Sequence, residues 1–258
     1  MDTGRPGIRG TSILKGERQA GPQDNASVWR YSVFMSRPGG VIFDLDGTLV
    51  DSVYQHVLAW QEALSQVGIE LSTWRIHRKV GMSGGLLTQA LLRETGGRID
   101  PQAQAQLLGL HAQAYAAHAH RVRPLPGAEA LLAQLVTQQV PFAIATSGRR
   151  DTAQRVLAVL QLPQETPLVT RDQVRHAKPD PDLFLEAASR LGLAPEEAVV
   201  VGDSVWDLLA ARRARSLGVG VLSGGYGQDE LVRAGAYRVY EDPLDLLRHL
   251  DEVGFRGP

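Results

Sequence analysis

The sequence predicts an α/β fold, a doubly wound parallel sheet with a helical insert placed after its first strand. Three observations carry that expectation. Apolar runs such as Gly-Val-Ile-Phe at 40–43 and Ala-Val-Val-Val at 198–201 lack the polar alternation of a half-exposed strand, so they read as strands covered on both faces. After residue 124, runs of this kind alternate with segments of helical spacing, the pattern of a parallel sheet wrapped by helices. Between them, residues 53–123 contain helical patterns and no convincing strand.

The first strand is expected at Gly40–Asp44 and ends in the turn-forming Asp46-Gly47-Thr48. Asp51 or Ser52 can cap the next helix, whose apolar positions Val53, Val57, Leu58, Trp60, Leu64 and Val67 recur at helical spacing. Further helices are expected near Gly85–Thr95 and Pro101–Ala119, and Arg123-Pro124-Leu125-Pro126-Gly127 reads as a rigid hinge. Later strands are expected at Pro141–Ala145, Leu168–Thr170, Ala198–Val201, Val219–Leu222 and Tyr237–Tyr240. Helices near Ala128–Gln138, Asp151–Leu160, Pro181–Leu191, Val205–Arg215, Gln228–Ala234 and Pro243–Glu252 fill the intervals. The expected division is therefore a main domain of residues 36–52 and 124–258, with the insert at 53–123.

Residues 1–35 stand apart. They are rich in Gly, Pro, Gln and Asp, lack the apolar core of a secretory signal, and are expected to be a disordered extension. Met35, just before the first strand, is an alternative start. The 258 residues are 43% hydrophobic and 21% charged, an ordinary globular composition. A net charge of -1 gives no field to recruit nucleic acid or an acidic membrane. No apolar run reaches the ~20 residues that span a bilayer. The absence of cysteine excludes disulfides and thiolate chemistry and suits a cytoplasmic setting. Nothing here fixes the oligomeric state, and a monomer is compatible with it.

Ligands of open α/β sheets bind beyond the carboxyl ends of the strands, so the residues following each apolar run are the candidates. Asp44 and Asp46 alternate in the first turn, where one carboxylate can attack while the other handles protons; the ordinary alternative is a polar turn. Thr146 and Ser147 offer a hydroxyl and a backbone amide suited to a phosphate oxygen, or simply a helix cap. Lys178 is one of three lysines among 27 basic residues, and a compact point charge kept where arginine is habitual suggests a specific need, although a solvated surface lysine reads the same way. Asp203 and Asp207, four apart, can point towards a cation, or Asp207 can merely complement a helix dipole.

Taken together, the segments DLDGTLVDS, ATSG, KPDPDLF and VVGDSVWD resemble, in this order over residues 40–258, the haloacid dehalogenase-like hydrolase superfamily. The resemblance implies a Rossmann-like core with an α-helical cap inserted after the first strand. It implies Asp44 as nucleophile and Asp46 as the acid that protonates the leaving group and then activates water. Thr146 and the Ser147 amide would hold the phosphoryl group, and Lys178 would neutralise charge beside Asp44. Magnesium would be bound by Asp44, the Asp46 carbonyl and Asp203, with Asp207 in support. The expected activity is hydrolysis of a small phosphorylated metabolite, of sugar phosphate or phosphoglycolate type, through an aspartyl-phosphate.

Two branches compete within the resemblance. The segment DSVYQHVLAW is similar to β-phosphoglucomutase-like members, whereas the overall pattern is that of phosphoglycolate phosphatase-like hydrolases. Gly84 stands where the mutases usually carry arginine, and Arg215 where the superfamily commonly has glycine. A non-catalytic binding protein on the same fold is a third reading, disfavoured because Asp44, Asp46, Lys178 and Asp203 are all present. In the insert, His56 and Lys79 are the candidate substrate contacts, Lys79 within the basic stretch Arg75-Ile76-His77-Arg78-Lys79. His111, His118 and His120 are expected on an exposed, alanine-rich helix without a metal role. The loop Ser223–Gly227 is expected at the rim of the site.

Overall fold

The computed structural model describes residues 38–94, 101–160 and 162–256, all within one compact unit, Met35–Pro258. The expected extension at 1–35, and Thr95 at the end of an expected helix, lie outside the described residues. In chain order the elements begin with β1 (Gly40–Phe43) and β2 (Val50–Asp51). The insert follows as α1 (Val53–Gln66), α2 (Thr73–His77), α3 (Gly84–Glu94) and α4 (Pro101–His118), closed by β3 (Arg123–Pro124). Then come α5 (Ala128–Thr137), β4 (Phe142–Ala145), α6 (Arg150–Leu157), β5 (Leu168–Val169) and α7 (Asp182–Leu191). The chain finishes with β6 (Ala198–Gly202), α8 (Val205–Ala214), β7 (Leu217–Val221), α9 (Gln228–Ala234), β8 (Arg238–Tyr240) and α10 (Pro243–Arg248).

Six strands form one parallel sheet in the order β5-β4-β1-β6-β7-β8, a Rossmann-like α/β arrangement. The chain builds outwards from β1 on one side through β4 and β5, then crosses to β6 and builds outwards on the other. That reversal leaves a crevice at the carboxyl ends of β1, β4 and β6. Successive residues of β1 feed opposite faces: Val41 and Phe43 join a core with Leu131, Leu135 and Ile144, while Ile42 joins one with Phe184, Ala187 and Ala211. The alanines of α7 and α8 in this second core are small side chains that let these helices pack closely on the strands. Phe43 is fully buried, and its truncation to alanine should cost about 3–5 kcal/mol.

The insert has its own apolar cluster, including Val57, Trp60, Leu64, Ile76, Leu87 and Leu107. Two elements in this region differ from expectation. The hinge is the antiparallel pair β2–β3, with Val50 opposite Pro124 and Asp51 opposite Arg123. Two residues per strand are too few for periodicity to reveal. The basic stretch at 75–79 begins inside the short helix α2, which is likewise too brief to register as helical spacing. Arg215 ends α8 at φ +64°, in the left-handed region. This accounts for the glycine that the superfamily resemblance places there, since a Cβ makes that conformation costly. No helix among the described residues is long and apolar enough to cross a membrane.

Candidate active site

The loop after β1 is held by its own backbone: the amides of Leu49 and Val50 both reach the carbonyl of Leu45, and Gly47 donates to Val50 at 2.8 Å. Gly47 sits at φ +82°, and a Cβ there would come within 2.6 Å of Asp203 Oδ2. The turn thus needs glycine both for its conformation and for its closeness to the carboxylate on the neighbouring strand. Thr48 donates to Asp203 Oδ1 at 2.9 Å, which joins the ends of β1 and β6.

Lys178 is 0% exposed. Its ammonium contacts Asp44 and lies 2.8 Å from Asp207 Oδ1. The other oxygen of Asp207 accepts from the Ser204 amide at 3.1 Å and its hydroxyl at 2.5 Å, closing the first turn of α8. Asp207 therefore spends one oxygen on the helix and one on Lys178, as befits a supporting group. Burial alone would strip the proton from Lys178, but Asp207 and Asp44 reverse that and hold it more tightly than in an ordinary lysine.

The carboxylates show the opposite strain. Burial, aided by Asp207 and Asp46 and opposed by Lys178, pushes Asp44 up to about 7. Burial, followed by Asp207 and Asp44, raises Asp203 well above the usual carboxylate range. One lysine does not balance this much buried negative charge. Asp44, Asp203 and Asp207 each place an oxygen within 4.8 Å of the other two, and with Asp207 held by Ser204 and Lys178 it is Asp44 and Asp203 that face a ligand. An all-oxygen, electron-rich donor set of this kind fits a hard divalent cation such as magnesium.

Asp46 differs from its neighbours. Burial raises it, yet His56 and Ser52, with Lys178 behind them, bring it below the ordinary value. Ser52 donates to Asp46 Oδ1 at 2.6 Å, and His56 Nε2 lies 3.3 Å from the same oxygen. Ser52 does occupy the N-cap position of α1, as expected, but its hydroxyl makes no capping bond because Asp46 takes it. Thr146, at the end of β4, points its hydroxyl at Asp46 Oδ2 from 3.4 Å and accepts from the Gly148 amide at 2.9 Å.

These groups open into a cavity of about 750 Å³ between the strand ends and the insert. Asp44, Asp46, Thr146 and Ser147 line its floor; His56, Trp60, Met82, Leu87, Leu108 and His111 line the insert side, and Arg149 and Arg171 its core side. The structure thus brings together Asp44, Asp46, Thr146, Ser147, Lys178, Asp203 and Asp207, with His56 above them. Ser147 also ties the insert down, its hydroxyl donating to the Gly81 carbonyl at 3.0 Å.

Lys79 is not brought to the cavity. Its ammonium pairs with Glu94 at 3.1 Å, the same carboxylate that holds Arg75. Arg78 pairs with Glu230, and His77 reaches the Gly224 carbonyl at 2.7 Å. The cationic loop expected to face the substrate is instead consumed by contacts within the insert and with the core. The loop 223–227 packs against the site: Ser223 donates to the Gly47 carbonyl at 2.6 Å, and Gly224 lies so close to Asp203 that a Cβ would come within 1.8 Å of its Oδ2.

His111 corrects the sequence reading in the other direction. It is half-buried, lines the cavity, stacks on Trp60 at 4.1 Å and faces His56 Nδ1 from 3.3 Å. His118 is also partly buried, 2.8 Å from Glu62, and only His120 is exposed. A signal for His111 existed in the paired spacings His56–Trp60 and His111–Tyr115. The face that α4 turns inwards was hidden by apolar residues spread around the whole helix.

The comparisons agree with this architecture. The haloacid dehalogenase-like hydrolase profile matches residues 39–215. The chain is 34% identical to hexitol phosphatase A of Escherichia coli (strain K12), over 68% of this chain and 79% of that protein. It is 31% identical to a phosphoglycolate phosphatase of Rhodospirillum rubrum, over 86% of this chain and 93% of that one. A crystal structure of a hydrolase from Pseudomonas syringae superposes with a TM-score of 0.82 at 55% identity, covering 84% of this chain and 99% of the other. With the strand-end carboxylates, the topology and the sequence match all in accord, the chain belongs to the haloacid dehalogenase-like hydrolases.

Proposed function

We propose that the chain is a magnesium-dependent phosphatase that hydrolyses a small phosphorylated metabolite, of sugar phosphate or phosphoglycolate type, through an aspartyl-phosphate on Asp44. The observation that carries this reading is Lys178, fully buried between Asp44 and Asp207 while Asp44 and Asp46 open into the cavity. In this reading residues 36–52 and 124–258 are the catalytic core and 53–123 the cap.

Asp44 attacks phosphorus and the ester oxygen departs with a proton from Asp46, whose depressed value the negative charge of the bound phosphate raises. Asp46, now a carboxylate, takes a proton from water, whose oxygen attacks the phosphoryl group and releases Asp44. Thr146 and the Ser147 amide hold phosphoryl oxygens, and Lys178 offsets the charge gathering beside Asp44. Asp44, the Asp46 carbonyl and Asp203 would hold magnesium, which when bound offsets the negative charge of phosphate and nucleophile together.

The mutase reading is less well supported. A phosphosugar mutase must handle a second phosphate, and among the described residues the insert side of the cavity carries neither arginine nor lysine, the cavity's only arginines being Arg149 and Arg171 on the core side. Gly84 lies against Leu108, where a Cβ would come within 2.7 Å of Cδ2, so a larger side chain needs rearrangement. A panel of phosphorylated metabolites, including both glucose phosphates and phosphoglycolate, assayed for phosphate release with magnesium, tests the reading. Release from at least one member is expected. Interconversion of the glucose phosphates without release would favour the mutase, and inertness throughout would overturn catalysis.

A further inference from the structure

Asp46 presents its two oxygens to different surroundings. Oδ1 faces two groups, Ser52 Oγ at 2.6 Å and His56 Nε2 at 3.3 Å. Oδ2 faces Thr146 and the phosphoryl end of the cavity. An acid that serves a leaving group must carry its proton on Oδ2, and that requires the groups at Oδ1 to remain donors. The Ser52 hydroxyl can rotate, and an imidazole can change tautomer, so the position of the His56 proton matters. If His56 carried its proton on Nδ1 alone, its bare Nε2 would accept from a protonated Asp46 and draw the acid's proton away from the substrate.

We propose that His111 is a positioning residue that keeps the Nε2 proton of His56 on Asp46 and thereby reserves Asp46 Oδ2 for the leaving group. His111 Nε2 stands 3.3 Å from His56 Nδ1. It can donate to a singly protonated His56 or, by changing its own tautomer, accept from a doubly protonated one. In either arrangement the Nε2 of His56 remains a donor, whereas a His56 protonated at Nδ1 alone would set a bare Nε2 against the Asp46 carboxylate, which favours a donor there. The rings have little freedom to turn away: His56 stacks on Tyr115 at 4.0 Å and 9°, and His111 on Trp60 at 4.1 Å and 19°. His56 and Trp60 are four apart on α1, as are His111 and Tyr115 on α4, so two helix faces interleave four rings. Burial, and then the neighbouring His56, hold His111 well below its ordinary value, which keeps it in the uncharged form with both a donor and an acceptor.

This inference rests on the phosphatase reading, but one arm of its test does not need turnover. In protein labelled with ¹⁵N-histidine, long-range proton–nitrogen spectra should show His56 protonated at Nε2, with the Nδ1–H tautomer appearing in His111→Phe. In the kinetic arm, phenyl phosphate has a poorer leaving group than p-nitrophenyl phosphate and depends more on Asp46. His111→Phe should lower kcat/KM about tenfold for phenyl phosphate and less than about threefold for p-nitrophenyl phosphate, the scale of one hydrogen bond. His111→Gln, which retains a donor and an acceptor, should recover part of the loss. In a His56→Phe background, His111→Phe should have no further effect. Equal losses on both esters, additive losses in the double variant, or an unchanged His56 tautomer in His111→Phe would overturn the role. If the phenylalanine variant does not fold, an Nδ1–H tautomer of His56 in the wild type, or equal losses on both esters in His111→Gln, overturns it equally. A wild type inert towards both esters refutes the phosphatase reading, while the tautomer spectra still judge the placement of His111.

Discussion

Lys178 and Lys79 are both ion-paired, yet they sit in opposite regimes. Lys178 lies fully buried among the strand-end carboxylates, between Asp44 and Asp207. Lys79 lies on the insert, 24% exposed, sharing Glu94 with Arg75. At the strand ends, negative charge exceeds positive charge in a space that water does not screen, and the surplus has to be met by a ligand. On the insert, cations and carboxylates balance one another at the surface, where an ion pair contributes little. A charged residue in the sequence becomes a chemical tool only where burial leaves its charge uncompensated.

The strongest way to break this contrast is Asp44→Asn. Turnover of p-nitrophenyl phosphate should fall to background, a loss on the order of 10⁴-fold or more as for other nucleophile deletions, with the circular dichroism spectrum unchanged. Retained turnover would remove the covalent mechanism. Asp46→Asn should cost less, about 10²–10⁴-fold, because attack by Asp44 survives and only proton transfer is lost.

The surplus charge also makes a prediction about stability. Burial raises Asp44 from the ordinary 3.8 to about 7 on folding, so the folded protein binds an extra proton between these values. Stability contributed by that proton is present below pH 3.8 and is lost as pH rises towards 7. Asp46, depressed on folding, acts in the opposite sense but only around and below its unfolded value. Without metal, Tm should therefore decline as pH rises from about 5 to 7, and the gain in Tm on adding magnesium should grow over the same window. A magnesium effect independent of pH would show that the ion does not bind at Asp44. The smallest effect is expected from Lys79→Ala: stability should shift by less than about 1 kcal/mol, and kcat/KM for the best metabolite should not change. A selective loss on that metabolite would bring Lys79 back into the site.

The strand ends were legible because each chemical group sits in the turn immediately after an apolar run, where local sequence and tertiary position coincide. Asp44, Asp46, Thr146 and Asp203 all belong to such turns. The insert was legible only as helices. Which face of α4 looks inwards depends on packing against α1, and an alanine-rich helix with no dominant apolar stripe does not encode it locally. Hence His111 read as exposed and Lys79 as a substrate contact. The Lys79 partner, Glu94, lies fifteen residues further on at the end of α3, a pairing that only the folded insert brings about. Ser52 shows the same effect on a smaller scale: its place before α1 was legible, but not that Asp46 would claim its hydroxyl.

The β2–β3 pair has a consequence for how this architecture can be altered. Entry to and exit from the insert run side by side, so in chain terms everything from α1 to α4 is one closed loop, which Ser147, Gly224 and Glu230 hold to the core through Gly81, His77 and Arg78. The entropy of closing such a loop grows only slowly with its length. The insert is thus a natural unit of exchange. A different helical segment can enter between Asp51 and Arg123 without changing a register in the six-stranded sheet, provided that it again supplies what Ser52, His56 and His111 give to Asp46, and new selectivity can be inherited or engineered in the rest of it.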